Sequence, residues 1–367
     1  MKILFSAIPF DHGRSGISVY MRNALKALKE AGHEVTVVTE PEAAEEFADF
    51  PRITAPGWTR RAVLSMLWHL FILPFKIKKG RFDFFYLAAA NRRAAAFRPI
   101  PVAAVVHDLA AHRVPGKYDR FRMLYQTKVL PFFIRRAEFP VAISEATADD
   151  MTAFLKIPRD RITVSWNGLP ERTVKPAGTV LQRYGLEKGG YLLYISRLEH
   201  PAKNQCTLIE AYEKLPPELT ERYRLVLGGA DWHGAEVIRA RAAASPLADR
   251  ILLPGFVADE DLEDLYRGSA AYVFPSLFEG FGLSLIEAMN LGIPCACSDC
   301  SSLAELGRGA ALLFDPKDPD AVADALKRLL ESPELRAELI AAGHRRAAQF
   351  TWKNHVERII HAVNGNK

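Results

Sequence analysis

Two glutamates with seven residues between them frame the most chemically suggestive stretch of the chain, Pro275-Ser276-Leu277-Phe278-Glu279-Gly280-Phe281-Gly282-Leu283-Ser284-Leu285-Ile286-Glu287. The pattern predicts Glu279 in a loop and Glu287 one to two turns into the helix that follows. Gly280 and Gly282 let a ligand approach the backbone closely, and backbone N–H groups at such a helix entry can receive a phosphate or sugar hydroxyls. A carboxylate such as Glu287 can hold two ribose hydroxyls with its two acceptor oxygens. The alternative is a helix N-terminus whose acids complement the macrodipole.

A second group is cationic. Ser196-Arg197-Leu198 closes one strand-like run and Lys203-Asn204 opens the next helical pattern. Arg197 and Lys203 then stand at the carboxyl end of a sheet, where guanidinium and ammonium groups can neutralise a diphosphate leaving group. Solvated surface cations are the bland alternative. Near the N-terminus, His12-Gly13-Arg14-Ser15-Gly16-Ile17-Ser18 leads from a strand into a helix, which makes Gly16 part of a possible phosphate site. The spacing is not the dinucleotide fingerprint, and this counts against a nicotinamide-dependent dehydrogenase. His107 is expected at a strand end, and Asp108 after it either orients the imidazole or caps the next turn.

The elements that must position these residues follow from apolar periodicity. Strand-like runs at residues 2–8, 34–39, 83–88, 102–107, 139–143 and 162–166 alternate with helical patterns, including residues 16–31 and 118–136. The alternation pauses in the polar stretch 167–178 and resumes with strands at 191–196, 224–227, 250–253, 271–274, 295–298 and 311–314. Three helical segments, 319–331, 333–350 and 352–363, close the chain. The pattern predicts an α/β fold of two doubly wound Rossmann-like domains facing across a cleft. The expected organisation is an N-terminal domain over 1–170, a linker over 171–180, a second domain over 181–350 and a C-terminal helix over 351–367 that could return to the first domain.

With 367 residues, 49% hydrophobic and 25% charged, the chain can bury two ordinary cores and is not of disordered composition. The N-terminal run predicts a buried first strand rather than a signal peptide. Four cysteines, three of them within residues 295–300, make a poor disulfide framework and suit a reducing cytosol. Cys295 and Cys297 are expected to pack as small apolar residues on a buried strand, and the triplet with Cys300 is not expected to be a metal site.

The net charge of +5 hides an asymmetry. Residues 1–180 carry 27 Lys/Arg against 17 Asp/Glu, and residues 181–367 carry 21 against 26. Between Arg60 and Arg136 there are 16 basic residues and three acids, a surface that wants an anionic partner. Within it the apolar segment 62–77 lies between Arg60-Arg61 and Lys78-Lys79-Gly80-Arg81, with Trp58 and Trp68 expected as interfacial aromatics. It is too short to span a bilayer and is expected to lie on an anionic membrane surface, or else to be an internal helix with a basic outer face. No nucleic-acid-binding module accompanies the charge.

The ordered set Gly16, His107-Asp108, Ser196-Arg197-Leu198, Lys203-Asn204 and Glu279-x7-Glu287 resembles retaining glycosyltransferase family 4, of GT-B fold, over nearly the whole chain. Gly16-x-x-x-Tyr20 with Val106-His107-Asp108-Leu109 is similar to bacterial mannosyl- and rhamnosyltransferases of polysaccharide assembly. The family commonly has two adjacent glycines in the first loop, where Ser15 here precedes Gly16. The resemblance implies Arg197 and Lys203 on the donor diphosphate, Glu287 on the ribose, and Glu279 with the Gly280–Leu283 amides on the transferred sugar. It implies His107 touching that sugar from the opposite domain.

The activity so implied is metal-independent transfer of a hexose or deoxyhexose, with no cofactor, from a GDP- or UDP-sugar to a lipid-linked glycan in cell-surface polysaccharide or lipopolysaccharide assembly. The expected location is the cytoplasmic face of the inner membrane. A non-catalytic nucleotide- or sugar-phosphate-binding module at the membrane is the alternative from another class.

Overall fold

The structure, a computed structural model, describes residues 1–12, 15–113, 120–170 and 179–365. It divides into two compact units, Met1–Pro170 with Phe350–Lys367 and Glu171–Gln349. The first is built on seven strands: β1 (Lys2–Ser6), β2 (Glu34–Thr39), β3 (Arg52–Thr54), β4 (Phe84–Leu87), β5 (Val102–Val106), β6 (Phe139–Ala142) and β7 (Thr163–Val164). All pairings are parallel, in the order β3-β2-β1-β4-β5-β6-β7.

The second unit has β8 (Tyr191–Ile195), β9 (Arg224–Gly228), β10 (Ile251–Gly255), β11 (Ala271–Phe274), β12 (Cys295–Ser298) and β13 (Leu312–Phe314). These are parallel in the order β10-β9-β8-β11-β12-β13. Central strands such as β4 (FFYL), β5 (VAAVV) and β11 (AYVF) are buried at every residue, the continuous apolar run that helices on both faces of a parallel sheet require. Both sheets are therefore doubly wound.

In each sheet the winding direction reverses beside the first strand, between β1 and β4 and between β8 and β11. Loops leaving the carboxyl ends on either side of such a reversal run to opposite faces and open a crevice there.

The helix Gly16–Glu30 starts on a Ser15 cap and buries Tyr20, Met21, Ala24, Leu25 and Leu28 along one face. The last helix, Trp352–Asn364, packs against it in the first unit through His355, Val356, Ile359 and Val363.

The short edge strand β3 has no counterpart in the periodicity, since three residues with only one partly buried side chain show no alternation. The expected linker 171–180 falls largely on residues 171–178, outside the described residues. So do residues 118 and 119 of the predicted helix 118–136. From Arg120 that helix proceeds through a π turn at Tyr125–Val129 to Leu130–Ile134, and the apolar segment does likewise with a π turn at Trp68–Ile72 before Leu73–Lys76. In both, a proline (Pro74, Pro131) follows the widened turn by two residues. Proline donates no N–H and its ring collides with the carbonyl four residues back, which the wider turn relieves.

Candidate functional site

In the second unit the expected residues converge at the β8/β11 reversal. Lys203 Nζ donates to Glu279 Oε1 at 2.6 Å, and both side chains are largely buried, 16% and 15% exposed. Ser276 Oγ donates to the same oxygen at 2.8 Å. Tyr194, at the end of β8, has its hydroxyl 2.8 Å from Ser276 Oγ and 3.1 Å from the Lys203 carbonyl.

The backbone closes the same cluster. Leu277 N donates to Ala202 O, Asn204 Nδ2 to the carbonyls of Pro275 and Pro316, and Ser302 Oγ to Glu279 O. The loop after β8 and the loop after β11 are thus one rigid body around the Lys203–Glu279 pair.

Arg197 is held by other means. Ser196 N donates to Gly228 O, Leu198 N to Ala230 O and Trp232 N to Leu198 O, so the segment after β8 runs alongside the segment after β9. A Cβ on Gly229, at φ +151°, would come 1.9 Å from Ser196 O, so only glycine permits this approach. The guanidinium lies 4.8 Å over the Trp232 ring and donates to the buried Glu199 at 3.2 Å, with about half of the side chain open to solvent. It is a charge fixed in place but still available.

Glu287 is buried on the helix Leu283–Asn290, and Tyr266 donates to its Oε2 at 3.5 Å. That helix begins on Gly282 at φ +106°, where a Cβ would meet Leu303 at 2.7 Å. Its N-terminal amides adjoin the loop that carries Glu279, so a positive helix end follows directly on the Lys203–Glu279 pair. Gly280 and Phe281 lie in the intervening turn.

In the first unit His107 follows β5 and is buried. Its Nε2 donates to Ala88 O at 2.7 Å, which leaves Nδ1 as an acceptor, and burial pulls the imidazole down to about 4 so that it is neutral at physiological pH. Tyr20 packs edge-on against this ring, with centroids 4.6 Å apart.

The Tyr20 hydroxyl is 2.5 Å from that of Tyr86 and 2.7 Å from His355 Nε2. Because His355 Nδ1 faces the carbonyls of Ser165 and Trp166, it carries the proton, and Nε2 accepts from Tyr20. A histidine in the last helix thereby braces the ring that packs on His107.

Asp108 accepts from Ala110 N through Oδ1 at 3.0 Å, so it caps the following turn. At the start of the first helix, Ser15 Oγ accepts from Ser18 N, and a Cβ on Gly16 would meet nothing within 4 Å. Gly13 and Arg14, also named in this loop, lie outside the described residues.

The apolar segment requires a correction. Trp68 is 1% exposed inside the core of the first unit and is no interfacial aromatic. The outer face is carried instead by Val63, Leu67, Phe71 and Phe75, four residues apart and 46, 45, 50 and 78% exposed, with Trp58 also half open. Cys295 and Cys297 are buried on β12, their thiols donating to the carbonyls of Ile293 and Leu303, and burial pushes both thiols up. Among the described residues no group of three or more His, Cys, Asp or Glu is placed to hold a metal ion.

Tyr194, Ser276, Glu199, Trp232 and His355 are not among the residues expected at the site, yet each supports one that is; only Ser276 lies within a stretch that the spacing singles out.

Known proteins resemble this chain along most of its length. The model for Glycosyltransferase Family 4 matches residues 14–172, and that for Glycosyl transferases group 1 matches residues 181–346. O-antigen chain mannosyltransferase B of Escherichia coli is 29% identical over 389 aligned positions, covering 99% of both chains. Serotype-specific mannosyltransferase WbdA of Escherichia coli is 30% identical over 70% of this chain but only 32% of its own length.

Among solved structures, sucrose-phosphate synthase of Thermosynechococcus elongatus superposes with a TM-score of 0.75 at 20% identity, over 100% of this chain and 97% of that one. Anabaena HepE, solved with UDP and glucose, superposes at 0.72 and 20% identity over 100% and 99%.

Proposed function

This chain belongs to glycosyltransferase family 4, and we propose that it transfers a hexose or deoxyhexose from a nucleotide-sugar to a lipid-linked or polysaccharide acceptor. We take the transfer to proceed with retention at the anomeric carbon and without a catalytic metal. The observation that supports the proposal is the Lys203–Glu279 pair, closed by Ser276 and Tyr194 at the sheet reversal of the second unit, on the loop that leads into the helix carrying Glu287.

In this reading Arg197 and Lys203 take the diphosphate, Glu287 the ribose, and Glu279 with the Gly280–Leu283 amides the transferred sugar. Gly16, His107 and Asp108 are the substrate residues proposed in the first unit. Glu279 is ion-paired with Lys203 and accepts from Ser276, an arrangement that suits an acceptor of sugar hydroxyls better than a nucleophile. The leaving phosphate then takes the proton of the attacking hydroxyl. Positive charge from two fixed side chains, met by no solvent reorganisation, lowers the barrier to departure.

Mannose or rhamnose is favoured, and relatives matching 99% and 70% of this chain that are named mannosyltransferases support mannose. The donor base is GDP or UDP, and cell-surface glycan assembly is the setting.

We further take the first unit to lie on an anionic membrane at the cytoplasmic face. Among the described residues no helix is long and apolar enough to cross a bilayer. The stripe Val63-Leu67-Phe71-Phe75 flanked by Arg60, Arg61, Lys76, Lys78, Lys79 and Arg81 has the chemistry of an interfacial helix.

The test is thermal unfolding with GDP, UDP, ADP or NADH, always with a chelator present. A nucleoside diphosphate at about a hundred times its Kd adds ~2.7 kcal/mol. A shift with GDP or UDP is expected, and no shift with any diphosphate would refute the reading.

A further inference from the structure

Trp232 is the one tryptophan of the second unit, and the residue is 48% exposed. About half of the indole stays in water, so burial is a small part of what the ring gains at this place. What it meets is charged or polar. The Arg197 guanidinium lies 4.8 Å over the ring, and the His233 ring stands across it with centroids 5.3 Å apart at 73°.

The backbone holds the indole in that position. Trp232 N donates to Leu198 O, His200 N donates to His233 O, and Asp231 pairs with Leu198 as a parallel bridge. Gly234, at φ +74°, turns the chain so closely past His200 that a Cβ would come 2.9 Å from the His200 Cβ. Arg239, on the helix Ala235–Ala243 that follows, donates back to Asp231 Oδ1 at 2.7 Å. Residues 230–233 therefore run as a fixed ladder beside the segment that carries Arg197.

The two partners of Arg197 act on it differently. Buried Glu199 takes an N–H of Nη2 at 3.2 Å, which spends a donor and opposes the charge. The indole attracts the guanidinium through its face, whereas the N–H donors lie in the guanidinium plane. Stacking thus fixes that plane without spending a donor or any charge. An arginine held by the Glu199 contact alone would have to be ordered by the ligand itself, at the expense of affinity.

We propose that Trp232 is a positioning residue: its indole face presets the plane of the Arg197 guanidinium, so that the open N–H edge meets a diphosphate already oriented. The inference rests on the diphosphate role of Arg197 in the transferase reading and deepens it by naming the residue that supplies the orientation. Trp232 acts through Arg197 and not on the nucleotide base.

The test titrates GDP and UDP into the full chain with chelator present, read by calorimetry for Kd, by tryptophan emission and by ligand-free melting. Emission of the unaltered chain should change on binding, because a diphosphate draws on the charge above the indole, and Trp232→Phe should lose that change. Trp232→Phe keeps an aromatic face and should hold Kd within about threefold, whereas Trp232→Leu should weaken binding about tenfold. Ligand-free Tm should stay close to that of the unaltered chain in both, as suits a half-exposed side chain. In an Arg197→Ala background, Trp232→Leu should weaken binding no further.

An emission change that survives in Trp232→Phe, an unchanged Kd in Trp232→Leu, or a loss confined to ligand-free Tm would overturn the positioning role. The same loss of affinity in the Arg197→Ala background would overturn it too, because the indole would then meet the nucleotide directly. Failure of every nucleoside diphosphate to bind the unaltered chain would instead remove the transferase reading, and the role of Trp232 with it.

Discussion

Replacing Lys203 by methionine separates what this residue does for the fold from what it does for the ligand. The substitution leaves the Glu279 carboxylate 15% exposed with only the Ser276 hydroxyl at 2.8 Å to answer its charge at Oε1. Breaking a fully buried pair costs ~3–5 kcal/mol. Here residual solvent and the surviving hydrogen bond reduce this to about 2–3 kcal/mol. At roughly 2–4 °C per kcal/mol for a unit of this size, Tm should fall by ~4–12 °C.

Adding Glu279→Gln removes the orphaned charge while keeping an acceptor for Ser276, so the double variant should regain most of that loss. It should not regain the nucleotide-induced shift, because the cation proposed to meet the diphosphate is still missing. Turnover should be about a hundredfold lower or worse in both, ~2.7 kcal/mol of transition-state stabilisation. The measurement is a melting curve with and without GDP or UDP for the unaltered chain and the two variants. A double variant no more stable than Lys203→Met would refute the electrostatic account of the cluster, and an undiminished nucleotide shift in either would refute the diphosphate role.

Three other outcomes follow from the same structure. Replacing Arg60, Arg61, Lys78 and Lys79 by serine should weaken sedimentation with anionic liposomes and leave the nucleotide shift unaltered, and unchanged sedimentation would remove the membrane proposal. Gly229→Ala, whose Cβ would sit 1.9 Å from Ser196 O, should cost at least ~3 kcal/mol and lose the nucleotide shift as Arg197 is displaced, read by urea unfolding.

Burial lowers His69 to about 3 and His107 and His355 to about 4. The unfolded chain therefore protonates first, and stability present above pH 6.5 is lost as pH falls from about 6.5 towards 4, by at most ~1.4 kcal/mol per pH unit per histidine. His355→Gln should flatten that slope in urea midpoints at pH 7.5 and pH 5, and a slope equal to the unaltered chain's would refute its share.

Much of the fold was legible because it is written in local periodicity. A strand buried on both faces must be a short apolar run, so β2, β11 and β12 could be placed to the residue and the remaining longer strands to within a few residues. The edge strand β3 escaped because it is nearly all exposed. Trp68 was misplaced because side-chain direction in its helix depends on a π turn imposed by Pro74 six residues later, which shifts the phase that a 3.6-residue repeat assumes.

The sequence by itself determined which residues could carry charge to a ligand. Arg197, Lys203, Glu279 and Glu287 stand out because charges and glycines next to strand ends have no reason to be there for packing. Only the tertiary structure decided their partners. Tyr194 reaches Ser276 beside the Lys203–Glu279 pair because β8 lies beside β11, Trp232 meets Arg197 because β9 lies on the other side of β8, and His355 braces Tyr20 from the far end of the chain. Such convergence is set by sheet order, a long-range property that no window of neighbouring residues contains.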